Sequence, residues 1–349
     1  MDYTISVNAQ TEREVKDTRA IPFGVQPTEH MFVASYKNGH WQNARITPFA
    51  DITMSPLALC LHYGQTVFEG MKAFLMQDGR ATIFRPDKHY ERFTKSLKRM
   101  CMPEVPRGLF LEALHQLVQL DSAWIPAEDD GSLYLRPFMI ASEERLGVKV
   151  SDEYLFMIVA TPAYQYYAEP IKVKVETQYI RAAEGGTGAT KCGGNYGGAF
   201  YPTQLAREQG YDQVIWTDAK NHEYIEESGT MNLMFVIDGA IITPSLSGTT
   251  LDGVTRDSLL AIAEQKGIQT DVRPLRYREI QEALESGKRV EAFGAGTAAV
   301  IAPIKSIAMD GREYDCYLGE DALMYQLKNE LFRIRRGLAP DRNNWNYII

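Results

Sequence analysis

Between Pro162 and Pro170 the chain loses its pattern. Ala163-Tyr164-Gln165-Tyr166-Tyr167-Ala168-Glu169 shows no clear period and is bracketed by prolines. At one domain per ~150 residues, the 349 residues suggest two domains. The break is where they would part. The sequence predicts a first domain over 1–163, an interdomain loop over 164–171 and a second domain over 172–349.

Each half reads as mixed strand and helix. Met31 to Tyr36 predicts a strand, Asn38-Gly39 its turn, and Ala44 to Phe49 the return. Met71 to Met76 and Ala81 to Phe84 predict a second hairpin around Asp78-Gly79. Pro86 stands where a helix would start, and Phe93, Leu97 and Met100 share a face after it. Strands are expected at Ser132 to Ile140, Tyr154 to Ala160, Ile171 to Glu176, Gln213 to Thr217, Glu223 to Glu227 and Asn232 to Ile237. A helix from Thr255 to Lys266 would stop at Gly267.

Charge and composition narrow the function. Thirty-seven basic against 45 acidic side chains give a formal charge of −8. That excludes a general polyanion or anionic-membrane binder, but not a local pocket for a small anion. No apolar run approaches the ~18 residues of a membrane span. The opening MDYTISVNAQTEREVKDTRA carries no apolar core of a signal peptide. Cys60, Cys101, Cys192 and Cys316 are far apart and form no CxxC pair, and the histidines lack ligand spacing, so no metal is expected. The expectation is a cytoplasmic protein with ordinary thiols.

Half of the fourteen residues Gly185 to Gly198 are glycine, and Lys191 is their single charge. A lysine held in so tight a setting can have a depressed pKa and act as an amine nucleophile toward a carbonyl cofactor. On this stretch alone, a solvated loop lysine is the simpler reading. Glu226 and Glu227 point to opposite faces if they lie on a strand. With Ile225 inward, Glu227 would be inward too, and a buried carboxylate needs a cationic or hydrogen-bonding partner. An edge-strand pair facing solvent is the alternative. Leu251 to Arg256 enters a helix whose free N–H groups suit an anion. Gly294 to Ala299 offers more donors, and matches a GxGxxA dinucleotide pattern without a βαβ unit around it. Either segment is equally a tight turn. Arg85 would be the cation for a phosphate, or a surface ion-pair residue.

Together the motifs are specific. His62-Tyr63-Gly64, Phe68-Glu69-Gly70-Met71-Lys72-Ala73-Phe74, Phe84-Arg85-Pro86, Ser132-Leu133-Tyr134-Leu135-Arg136-Pro137, Lys191-Cys192-Gly193-Gly194-Asn195-Tyr196, Glu227-Ser228-Gly229-Thr230-Met231-Asn232, Gly253-Val254-Thr255-Arg256 and Gly296-Thr297-Ala298 occur in order along both halves. From about Phe23 to Gly337 the chain resembles the branched-chain amino acid aminotransferases, class IV aminotransferases of pyridoxal-phosphate fold type IV. The resemblance implies an α+β or α/β chain. It would have a small N-terminal α/β domain, a larger C-terminal domain with a barrel-like mixed sheet, and the cofactor in the cleft between them.

It also implies roles. Lys191 would carry pyridoxal phosphate as a Schiff base, Glu227 would pair with the pyridine nitrogen, and Tyr196 would sit near the phenolic oxygen. Arg85, Gly253, Val254, Thr255, Gly296 and Thr297 would hold the phosphate, with help from Arg181. Phe68, Tyr134, Tyr166 and Tyr196 would line an apolar substrate pocket, and Arg136 would meet the distal carboxylate of glutamate. Thr230, Ala298 and Ala299 would lie near the substrate carboxylate. Tyr63, Leu146 and Val148 would reach the pocket of a second subunit, giving a homodimer. Ala299 and Ala302 stand where some animal members carry a redox CxxC, so that switch is not expected. The activity implied is reversible transfer of an amino group between leucine, isoleucine or valine and 2-oxoglutarate. D-Amino acid aminotransferase and aminodeoxychorismate lyase share the fold and are the nearer alternatives. A nicotinamide-dependent oxidoreductase rests on Gly294 to Ala299 alone.

Overall fold

A computed structural model describes residues 4–10, 19 and 21–349. Part of the opening segment read above for targeting signals lies outside the described residues. No helix among them is long and apolar enough to cross a membrane.

The chain forms two compact units. The first comprises residues 1–166, 191–194 and 334–349, and the second residues 167–190 and 195–333. The division at 166/167 falls inside the predicted loop. Two stretches expected in the second domain, 191–194 and 334–349, belong to the first unit. The reasons are backbone pairing: Cys192 bridges to Val67, and a strand near the C-terminus joins the first sheet.

The first unit is built on strands β1 (Ser6–Val7), β2 (His30–Lys37), β3 (His40–Pro48), β4 (Thr66–Phe68), β5 (Met71–Leu75), β6 (Ala81–Phe84), β7 (Ser132–Ala141) and β8 (Tyr154–Ala163). Helices α1 (Leu59–Tyr63), α2 (Pro86–Arg99) and α3 (Arg107–Leu120) accompany them. Lys37 pairs with His40, so Asn38-Gly39 is a two-residue turn; φ is 55° and 80° there, as a type I′ hairpin requires. The sheet runs β1-β3-β2-β8-β7-β5-β6, with β4 paired to β7. The edge of β6 is covered by the C-terminal strand Asn346–Ile348. Phe93 of α2 and Phe110 of α3 meet Phe156 of β8, with ring centroids 5.7 and 6.0 Å away, and all three are fully buried.

The second unit contains β9 (Ile171–Glu176), β10 (Gln213–Thr217), β11 (Ile225–Ser228), β12 (Met231–Ile237), β13 (Ala240–Pro244), β14 (Thr270–Arg273), β15 (Val290–Gly296), β16 (Val300–Met309) and β17 (Arg312–Asp315). Six of these close on themselves in the order β11-β10-β9-β16-β15-β12 and back to β11, a barrel-like mixed sheet. The pairings of β9 to β10 and to β16 are parallel and the rest of the ring is antiparallel. Val173, Ile215, Leu233, Phe235, Ala292 and Ile304 form much of its core. Helices α4 (Gly194–Gly197), α5 (Phe200–Glu208), α6 (Val254–Gln265), α7 (Tyr277–Glu285) and α8 (Leu323–Arg335) complete the chain, and Asn346–Ile348 is strand β18.

Candidate active site

Lys191 is docked into the first unit by its backbone. Its N–H donates to Ser96 Oγ at 3.0 Å, and its carbonyl accepts the Phe68 N–H at 3.0 Å. Gly193 N–H reaches Thr66 O at 3.3 Å. A Cβ at Gly193 would lie 2.5 Å from Thr66 Oγ1, so a larger residue would have to turn that hydroxyl aside. The Lys191 amine sits 4.7 Å from the Phe68 ring centroid. Burial and the neighbouring Arg92 cation pull its pKa down to about 8, although Glu69 pulls the other way. The residue as a whole is only partly buried.

Arg92, His89 and Glu69 form a buried ionic group in the same unit. His89, Arg92, Phe93 and Ser96 lie three or four residues apart or adjacent, on the buried face of α2. Arg92 donates Nε to Glu69 Oε1 at 2.7 Å and Nη2 to Oε2 at 2.9 Å. His89 Nδ1 lies 2.8 Å from Glu69 Oε2. Burial pushes the Glu69 carboxyl up, but Arg92 and His89 outweigh it and hold it well below the usual range. Burial lowers the His89 pKa, although Glu69 pulls the other way.

Arg85, the expected phosphate cation, lies elsewhere in this unit. It holds the left-handed N-cap of α2 at φ 51°, donates its N–H to Trp345 O, and carries its guanidinium over the Trp345 ring at 4.9 Å. Two arginines lower the Lys191 pKa by their charge, Arg92 more than Arg136, and no motif marked Arg92.

Phe68, Tyr134, Arg136 and Tyr166, all expected at the substrate, lie in the first unit. Arg136 lies over Phe68 at 4.7 Å and donates Nη2 to the Tyr134 hydroxyl at 3.1 Å. Phe23 meets Tyr134 and Tyr166 edge-on at 5.0 and 5.4 Å, so it belongs with the aromatic group, although no motif marked it. Gly70 makes room for them: a Cβ there would fall 1.9 Å from the Tyr134 hydroxyl. Tyr63, Leu146 and Val148 are 43%, 57% and 81% exposed, and the Tyr63 hydroxyl donates to the Leu146 carbonyl.

In the second unit, Arg181, Thr190, Asn195, Tyr196, Glu227, Gly229, Thr230 and Leu251 line one small cavity. Asn195 pins the Gly-rich segment by donating Nδ2 to the carbonyls of Thr187 and Thr190 at 2.8 and 2.7 Å. Glu227 is buried on β11, accepts the Leu251 N–H at 2.6 Å, and lies 3.4 Å from Arg181 Nε. Arg181, expected at the phosphate, thus contacts this carboxylate. Its Nη2 donates to the carbonyls of Gly188 and Thr249.

Val254 and Thr255 open α6, which follows Gly253 with no side-chain cap. Gly253 is required, because a Cβ would lie 1.7 Å from Asn232 Oδ1. Arg256 turns away to Thr243 Oγ1 and Pro244 O, at 3.2 and 2.8 Å. The segment Gly294 to Ala299 differs from the open cradle expected. Gly294 to Gly296 complete β15, paired with Ala302 to Val300, which leaves Thr297, Ala298 and Ala299 as the turn. The glycines answer to Met231, whose side chain would lie 2.6 Å from a Cβ at Gly294. A strand here removes the basis of a dinucleotide loop. All four cysteines are free thiols, and Cys192 packs in the first core.

Residues 66–307 match the family model for amino-transferase class IV. The chain belongs to the class IV aminotransferases. It is 41% identical over 341 residues to the branched-chain-amino-acid transaminase 1 of Bacillus subtilis, covering 95% of each chain. It is 39% identical to the branched-chain-amino-acid aminotransferase of Mycolicibacterium smegmatis, covering 99% of this chain and 97% of the relative. Among solved structures, the branched-chain amino acid aminotransferase of Escherichia coli aligns with a TM-score of 0.74 at 26% identity, over 91% of this chain and 98% of that one. The fold is also that of the branched-chain amino acid aminotransferase of Thermobaculum terrenum, solved in its PLP form. That structure aligns with a TM-score of 0.77 at 22% identity, over 92% of this chain and 98% of the other. The class IV fold type accounts for both the mixed sheet of the first unit and the six-strand ring of the second.

Proposed function

We propose that this class IV aminotransferase is a branched-chain-amino-acid aminotransferase. It uses pyridoxal phosphate to move an amino group reversibly between L-leucine, L-isoleucine or L-valine and 2-oxoglutarate. The observation that carries the reading is Lys191: its backbone is fixed by Ser96 and Phe68, its amine lies 4.7 Å from the Phe68 ring centroid, and burial and the Arg92 cation pull its pKa down to about 8. The residues fit the cofactor. A lysine of lowered pKa suits Schiff-base formation, the buried Glu227 beside Arg181 suits a protonated ring nitrogen, and a helix that opens at Val254 after Gly253 suits a phosphate.

When bound, pyridoxal phosphate supplies the carbonyl that takes up the amino group and a ring that stabilises negative charge at the substrate α-carbon. Lys191 would take the proton off the substrate α-carbon as general base and, as general acid, would deliver it to the former carbonyl carbon of the cofactor, so that the α-carbon becomes the carbonyl carbon of the 2-oxo acid. Glu227 holds a proton on the ring nitrogen. Arg92, whose charge reaches Lys191, would offer the phosphate a cation, and Gly253, Val254, Thr255, Gly296 and Thr297 would offer it N–H and hydroxyl donors. Tyr196 would meet the phenolic oxygen. Phe68, Tyr134 and Tyr166, with Phe23, exclude water and fit a branched side chain. One methylene is worth only ~1–3 kcal/mol, so the three amino acids are poorly separated. Arg136 receives the second carboxylate of glutamate, and Thr230, Ala298 and Ala299 receive the first. Exposed Tyr63, Leu146 and Val148 serve a second copy of the chain in a cytoplasmic homodimer.

Borohydride reduction of the purified protein, followed by peptide mapping, tests this. A pyridoxyl adduct on Lys191 is expected, and an adduct elsewhere would overturn the assignment. With 2-oxoglutarate as acceptor, turnover of L-leucine is expected; turnover of D-alanine alone would move the protein to the D-amino acid branch.

A further inference from the structure

Two adjacent carboxylates on β11 grip one segment of the second unit. Glu226 Oε1 accepts the Thr249 hydroxyl at 2.5 Å, and Glu227 Oε1 accepts the Leu251 N–H at 2.6 Å. The Leu251 carbonyl is held in turn by Asn232 Nδ2 at 2.9 Å. Arg181 joins the two grips. It donates to the carbonyl of Thr249 and, at 3.1 Å, to that of Gly188, while its Nε lies 3.4 Å from Glu227 Oε2. Both side chains of that pair are below a tenth exposed. Two carbonyl anchors fix the plane of the guanidinium. The 3.4 Å separation is long for a hydrogen bond, so Arg181 lends charge to Glu227 more than a proton. A buried carboxylate needs such a charge to stay ionised.

We propose that Arg181 is a positioning residue: it keeps Glu227 ionised and aimed as the acceptor for the cofactor's ring nitrogen. Thr249, held by Glu226, keeps Arg181 in place. The proposal rests on the reading of Glu227 given above, and goes beyond it by assigning what sets that carboxylate. It also explains why an arginine just ahead of the Gly-rich segment points at a carboxylate.

The test compares two ligands of the cofactor-stripped enzyme by absorbance titration: pyridoxal phosphate and its 1-deaza analogue, which has carbon in place of the ring nitrogen. Their affinity ratio isolates the nitrogen contact. A charge-assisted hydrogen bond should make the ratio about tenfold or more in the native chain. Glu227→Gln should bring it close to one, and a ratio it leaves intact refutes the role of Glu227 itself. With that role standing, Arg181→Gln should cut the ratio at least about threefold, Arg181→Lys should restore part of it, and Thr249→Val should fall between. Equal weakening of both ligands by Arg181→Gln would mean a merely structural arginine and would overturn the proposal, as would an unchanged ratio. If Arg181→Gln does not fold, Arg181→Lys and Thr249→Val decide: a lowered ratio in either supports the proposal, and unchanged ratios in both overturn it.

Discussion

The guanidinium of Arg92 forks onto the carboxylate of Glu69, with Nε 2.7 Å from Oε1 and Nη2 2.9 Å from Oε2. Both residues are buried, at 6% and 0% exposed. Removing one member of such a pair leaves a charge in a low-dielectric site, which typically costs about 3–5 kcal/mol. Glu69→Gln should destabilise the protein by about that much in urea denaturation. It also removes an attraction that raises the Lys191 pKa, so the amine should titrate below about 8. The pH dependence of amine labelling at Lys191 in cofactor-free protein measures this, and a midpoint that stays or rises would count against it.

Lys72 lies buried on β5, where burial and the nearby Arg335 cation lower its pKa from 10.5 to about 7. The folded chain holds this proton less tightly than the unfolded chain. Between about 7 and 10.5, unfolding therefore takes up a proton, and stability from this group rises with pH. The slope is at most about 1.4 kcal/mol per pH unit. Subtracting the denaturation curves of Lys72→Met from those of the native chain should reveal that slope; a flat difference would refute it.

Gly70 leaves no room for a methyl group beneath the Tyr134 hydroxyl, which a Cβ would approach to 1.9 Å. Gly70→Ala should displace Tyr134, and with it Arg136, which donates to that hydroxyl. Overpacking of this kind costs about 1–3 kcal/mol. The expected kinetic outcome is a raised KM for both substrates with a smaller change in kcat.

Arg136, proposed to receive the second carboxylate of glutamate, should separate the two half-reactions. Arg136→Met should lower kcat/KM for 2-oxoglutarate by about 10- to 100-fold, the worth of a hydrogen bond to a charged group. The value for L-leucine should stay within about threefold, since an apolar side chain has no carboxylate there. Equal losses for both substrates in single-turnover assays would show that Arg136 does not discriminate.

Much of this was legible in the sequence where local chemistry was strong. Asn38-Gly39 and Asp78-Gly79 announce their turns, and Lys191 stands out against seven glycines. Arg92 was not legible, because Glu91, Lys95 and Lys98 around it give α2 the look of a solvated face. The signal was its place next to Phe93, on the stripe that also carries His89 and Ser96. Glu69, a lone carboxylate between Phe68 and Gly70, was the other half of that signal. Gly294 to Gly296 looked like a loop because glycine is rare inside strands; the side chain of Met231 on the neighbouring strand supplies the reason, and only the pairing reveals it.

Strand β18 comes from far downstream in the chain, yet it covers β6, whose four residues are all buried. During synthesis the amino-terminal unit is therefore begun first and finished last. Its sheet keeps an open edge while the whole ring of the second unit is being made, and an open edge invites pairing with other chains. A nascent or clipped chain lacking only Asn346 to Ile349 would hold every residue assigned to catalysis and still present that edge. The strand that closes this edge thus lies far along the chain from the residues assigned to the chemistry.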